Sequence, residues 1–321
     1  MNTDLSNINL LKAIKQNLPA GMTPVDLLMD ILGIGKEAAY RRVRGDVPFT
    51  LRETALIAER LKLSLDCIAN INPGRILFEL RPQKFYFEEE SVEEYKPLLA
   101  FLDSLQIITK QPYSEFTFSC NTFPQFPGHM FYQLFKYSTF KYMYENENAQ
   151  SIKPFNEINV PEKFFKLNQD IILETMNLKE TTYLFYIRFL ENIVNELKYF
   201  SSIQLIDKED IELIKNDLHN LIDHIEELTV NGKFKTGNKA NIYISNVRFD
   251  VSYSFIHAND YILSMIGAFT VNHLTASDET SLHKIKNRIQ ALKRVSDLIS
   301  ESGEMKRIQF ISEQRRLINT L

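Results

Sequence analysis

The sequence predicts a mainly α-helical protein. A small five-helix domain over residues 1–72 is followed by a connector over 73–110. A larger α+β domain over 111–321 combines long helices with a small antiparallel meander. Three observations lead to this reading. Glycine is scarce, at 10 of 321 residues, which disfavours a turn-rich all-β fold. Apolar residues recur at steps of three and four along most of the chain, the period of a helix with one buried face. One stretch, Ala240–Leu274, has β character: apolar and polar residues alternate from Ile242 to Phe255 as in a half-buried strand, and Tyr261–Leu274 is a further apolar run of strand or helix type. Length agrees, since domains of about 100–200 residues make two the natural count.

The N-terminal elements follow from local signals. Ile8, Leu11, Ile14 and Leu18 lie at helical spacing, and Pro19-Ala20-Gly21 ends that helix. Thr23-Pro24 reads as an N-cap followed by proline at the first helical position, opening a second helix to Leu32. Gly33-Ile34-Gly35 breaks it tightly before a short third helix, Lys36–Arg44. Thr50 with Glu53 forms a capping box that starts a fourth helix carrying Ala55, Ile57, Ala58 and Leu61. Ser64-Leu65-Asp66 caps a fifth, with Cys67 in its core, and Asn72-Pro73-Gly74 closes the domain.

In the connector, Ile76-Leu77-Phe78 and Phe85-Tyr86-Phe87 read as short packed segments. Glu88-Glu89-Glu90 is a solvated start to a helix near 92–108, since carboxylates suit the positive end of a helix dipole. Beyond it, helices are expected at 127–145, 161–178, 180–201, 207–229, 279–301 and 304–319. Two carry heptad-like seams, Ile211–Leu228 and Leu282–Ile299, suited to packing inside a bundle or across a dimer. The aromatic cluster from Phe116 to Tyr144 supplies burial in a chain without Trp, and leaves room for a small-molecule or peptide effector.

The segment 23–66 carries the functional signal. Thr23-Pro24-Val25-Asp26-Leu27-Leu28, the turn Leu32-Gly33-Ile34-Gly35, the helix Lys36–Arg44, then Pro48, Leu56-Ile57-Ala58 and Leu61–Asp66 follow one another in order. In order and spacing they resemble the lambda-repressor-like (Cro/cI, XRE) helix-turn-helix family. That resemblance covers about a fifth of the chain and implies a recognition helix at Lys36–Arg44 entering the major groove of DNA. Three positions depart from the family: Pro24 stands where Gln is common, Leu28 where a small residue is usual, and Arg42 where an apolar buttress is usual.

The residues support the same chemistry by themselves. With Ala39 and Val43 taken as the buried side, about 100° per residue places Glu37, Arg41 and Arg44 opposite, with Tyr40 flanking. Lys36 sits at the helix start, where free N–H groups favour phosphate. Arginine can grip guanine with two hydrogen bonds, and glutamate can accept from cytosine. Net charge over Lys36–Arg44 is +3 in a chain of net charge −4. Ten Lys/Arg against eight Asp/Glu make residues 1–75 about +2, leaving −6 for the remainder. The candidate DNA-binding residues are therefore Lys36, Glu37, Tyr40, Arg41 and Arg44.

Other function classes lack their signatures. The six histidines form no His-Glu-x-x-His pair, Gly232–Lys239 lacks the Gly-Lys-Ser/Thr of a phosphate loop, and no nucleophile elbow or dinucleotide fingerprint occurs. Two cysteines, Cys67 and Cys120, make neither a disulfide scaffold nor a four-cysteine zinc site. The expectation is a cytoplasmic, non-enzymatic transcriptional regulator that needs no cofactor or membrane. It would bind double-stranded DNA as a homodimer, because one such domain covers about a half-site. The alternative is a protein-interaction scaffold whose helical domain docks a partner instead of DNA. Basic residues on the C-terminal helices, such as Lys286, Lys293, Arg307 and Arg315, could extend a DNA footprint, although helix surfaces explain most of them.

Overall fold

In a computed structural model the chain divides into two units, Met1–Leu77 and Phe78–Leu321. The residues described are 5–18, 21–61, 63, 65–69, 76, 78–80, 92–146, 152–249, 251–259, 261–268 and 273–321, without the side chains of 5, 16, 66, 67 and 92–94. The expected closing turn at 72–74, the connector segment 85–87, the acidic run 88–90 and the side chain of Cys67 lie outside them.

Among the described residues five helices build the first unit: α1 (Leu5–Gln16), α2 (Pro24–Leu32), α3 (Lys36–Val43), α4 (Leu51–Leu61) and α5 (Leu65–Ala69). The start of α2 is a reciprocal cap. The Thr23 hydroxyl accepts from the Asp26 amide at 3.2 Å, and the Asp26 carboxylate accepts from the Thr23 amide at 3.2 Å. The hydrogen bonds from Thr23 hold the Asp26 carboxyl below its ordinary pKa. Thr23→Ala should destabilise this unit by about 1 kcal/mol, seen as faster hydrogen exchange of the α2 amides. Gly33 ends α2 at φ 63°, with its N–H on the Met29 carbonyl. That left-handed geometry suits glycine, so the tight turn into α3 depends on it. Leu10, Ile14, Val25, Leu27, Leu28, Ala39, Ile57, Ala58 and Ile68 form a separate small core. Leu28, the departure from the usual small residue, is fully buried there.

The second unit runs β1 (Glu79–Leu80), α6 (Val92–Ile108), β2 (Glu115–Cys120), α7 (Gln125–Gly128), α8 (Tyr132–Asn146), α9 (Glu162–Thr175) and β3 (Glu180–Tyr186). It continues through α10 (Glu191–Ser202), α11 (Lys208–Asn231), β4 (Lys239–Ser245), β5 (Tyr253–Ala258), β6 (Tyr261–Gly267) and β7 (His273–Ala276). It closes with α12 (Glu279–Lys293), β8 (Ser296–Leu298) and α13 (Glu304–Ile318). Among the described residues eight strands form one sheet in the order β1-β7-β6-β5-β2-β3-β4-β8. β2, β3 and β4 are parallel neighbours, and every other pairing is antiparallel.

This corrects the expected fold class. The second unit is organised by an eight-stranded mixed sheet and is not a helical domain with a small meander. The antiparallel run β5-β6-β7 exists, but it is one flank of that sheet. Two central strands escaped the sequence reading for a physical reason. β3 is buried along nearly its whole length and shows no polar–apolar alternation, while β2 does alternate, but over six residues only, too short a run to stand out beside the aromatic cluster that follows it. β3 leads into α10 through four residues, which let 180–201 read as one helix. β8 was likewise absorbed into an expected helix at 279–301, whereas α12 ends at Lys293.

Strand parity sorts the two faces of the sheet. Phe116, Phe118, Cys120, Tyr183, Phe185, Ile242 and Ile244 join the main core, which also takes residues of α6, α8, α9, α10, α11 and α13. On the opposite face Phe255 packs with Leu282, Ile285 and Ile289 of α12. Both heptad-like seams are spent inside this unit. Ile211, Ile214, Leu218, Leu221, Ile225 and Leu228 are buried, as are Leu282, Ile285, Ile289 and Leu292. Neither seam is left to build a dimer.

Candidate functional site

Helix α3 begins at Gly35, whose extended backbone (φ −70°, ψ 159°) supplies no side-chain cap, so the first amides of α3 have no capping side chain. Ala39 is fully buried against the small core, and Val43 packs on its margin. With that side fixed, the helical period turns Lys36, Glu37, Tyr40, Arg41 and Arg44 outward, and all five are exposed. Lys36 Nζ lies 6.0 Å from the Tyr40 ring centroid, a loose cation–π approach. Arg44 pairs with Asp46 at 2.9 Å, but both side chains are about half exposed, so the pair is weak and exchangeable. No ion pair of Lys36, Glu37 or Arg41 occurs among the described residues.

Arg42 has a different role from its basic neighbours. Its guanidinium reaches Glu53 of α4 at 2.7 Å and the Ala38 carbonyl at 3.2 Å, and both charged side chains are largely buried. Glu53 also accepts from the Thr50 amide at 2.8 Å. Burial opposes the charge on Glu53, but the Thr50 amide and Arg42 outweigh it and hold the carboxyl below its ordinary pKa. Where the helix-turn-helix pattern usually has an apolar buttress, this chain clamps α3 to α4 with an ion pair. The sequence pattern marks Arg42 as a departure, but it gives Glu53 a capping role only.

The basic residues of the C-terminal helices are mostly engaged within the second unit. Lys286 bonds Glu115, Lys306 pairs with Asp297, Arg315 binds Asp223 and Glu226, and Arg316 binds Glu313. Gly232–Lys239 is a turn: Gly232 ends α11 in the left-handed region, and the Phe234 amide bonds Asn238. Among the described residues no group of His, Cys, Asp and Glu could hold a metal ion. No helix among them is long and apolar enough to cross a membrane.

The second unit contains a cavity of 320 Å³ beyond the carboxyl end of β2, between α8 and the start of α10. One wall is a closed polar triad. Tyr137 donates to one oxygen of Glu196 at 2.7 Å, and Lys141 donates to the other at 2.6 Å. Burial and the Glu196 charge push the Tyr137 phenol well above its ordinary pKa. Ser138, which also lines the cavity, makes a second buried contact, its Oγ lying 2.8 Å from His129 Nε2. No spacing rule links these residues in sequence, since Glu196 stands 55 positions from Lys141.

No family model matches the chain, and neither does any curated protein or solved structure.

Proposed function

We propose that the protein is a cytoplasmic, sequence-specific DNA-binding transcriptional regulator in which α3 is the recognition helix. The observation that carries this reading is the shared exposed face of Lys36, Glu37, Tyr40, Arg41 and Arg44 on a short helix buttressed through Ala39. Three of the five are cations, in a chain of net charge −4. In the mechanism, Arg41 and Glu37 read base edges in the major groove, where bidentate arginine selects guanine. Lys36 and Arg44 take flanking phosphates and release their counterions. Arg44 exchanges its Asp46 partner for phosphate at little cost, because that pair is solvent-exposed. One copy spans about a half-site, so two copies on a two-fold axis would read a palindromic operator.

The test is fluorescence anisotropy of a labelled duplex titrated with the full chain at several salt concentrations. Affinity should fall about 3.5-fold for each phosphate neutralised between about 50 and about 200 mM salt. A scaffold that docks a protein instead of DNA would show no retention of duplex even at low salt.

A further inference from the structure

We propose that the 320 Å³ cavity of the second unit is a binding site for a small organic carboxylate with an apolar body. Its size lies at the lower end of ordinary small-molecule pockets, room for a compact ligand and too little for a folded peptide. The position also fits, since ligands of sheets with parallel strands gather beyond the strands' carboxyl ends. The argument for an anion is charge bookkeeping at the wall. Lys141 is neutralised by Glu196, and both Glu196 oxygens are already taken by Tyr137 and Lys141. Among the described residues lining the cavity Glu196 is the one carboxylate, and its charge is met by Lys141. His273, also on the wall, is pushed down to about 4 by burial and is neutral at neutral pH. Buried Cys120 is held as the thiol, its pKa raised by the same cause.

Among the described lining residues one charge remains over. Arg248 lines the cavity, is exposed, and makes no ion pair among the described residues. Asn192 and Thr122 add neutral polar groups, while Phe118, Phe123 and Ile193 supply apolar wall. A carboxylate held by Arg248 would lay its hydrocarbon against Phe118, Phe123 and Ile193, and bidentate pairing suits guanidinium to carboxylate. This site stands apart from the DNA reading, and its test needs no DNA.

The experiment is calorimetric titration of the full chain with phenylacetate, hexanoate and indole-3-acetate. 2-Phenylethylamine serves as the cationic counterpart. At least one carboxylate should bind with a Kd of about 1 mM or tighter, the range open to ligands of this size. The amine should bind at least about tenfold more weakly, and Arg248→Gln should weaken the carboxylate about tenfold. Asn192→Trp, at an exposed position on the wall, should abolish binding by filling the space, with unchanged melting of both variants confirming their fold. Binding of none of the three carboxylates, equal binding of the amine, or affinity unchanged in both variants would overturn the proposal.

Discussion

Arg41→Ala is expected to weaken binding to a selected operator about 10- to 100-fold while leaving thermal stability unchanged. Arg41 is exposed on α3 and has no ion-pair partner among the described residues, so its loss exposes no core and breaks no tie. The whole effect should appear in DNA recognition. A bidentate arginine–guanine contact carries about 1–3 kcal/mol of discrimination, the basis of that fold-change. The variant should also bind random duplex nearly as well as wild type, because counterion release by Lys36 and Arg44 persists. Lys36→Ala is the complementary case. It should lower affinity uniformly across sequences and reduce the salt dependence by about one phosphate contact.

Glu53→Ala is expected to act in the opposite way, destabilising the first unit by about 2–3 kcal/mol before any DNA is present. It removes the 2.7 Å partner of Arg42 and leaves a largely buried guanidinium whose Nε already lacks a hydrogen bond. The Thr50 amide loses its acceptor as well. The effect is tied to pH. The folded-state pKa of Glu53 lies below its ordinary value of 4.5, so the stabilisation is fully present above 4.5. It is lost as pH falls through the lower folded-state value. Urea unfolding at about pH 7 and about pH 3 should show the gap between wild type and Glu53→Ala closing at the acid end. Against Arg41→Ala, this variant separates the residue proposed to read DNA from the pair that holds its helix in place.

The first unit was legible because its determinants are local. The cap Thr23–Asp26, the turn glycine Gly33 and the cap Thr50–Glu53 each act within four residues, and the apolar period fixed which face of α3 is buried. The sheet was hidden because its determinants are remote. β2 meets β3 through pairs such as Glu115 with Glu180; β3 is buried too evenly to betray a period of two, and the alternation of β2 spans six residues only. The seam of α11 was visible as a seam, but periodicity could not say what covers it. The covering is the unit's own core, so the proposed two-fold assembly rests on the geometry of half-sites and not on Ile211–Leu228. The Tyr137–Glu196–Lys141 triad could not be seen at all, since it joins two helices by contact and not by spacing.

Selection of binding sites from a randomised duplex pool with the full chain tests the central claim most directly. Wild type should enrich a defined half-site containing guanine, and the Arg41→Ala protein should lose preference at that base while still retaining duplex at low salt. No enrichment by wild type, or the same enriched sequence from Arg41→Ala, would contradict the assignment of α3 as the helix that reads DNA.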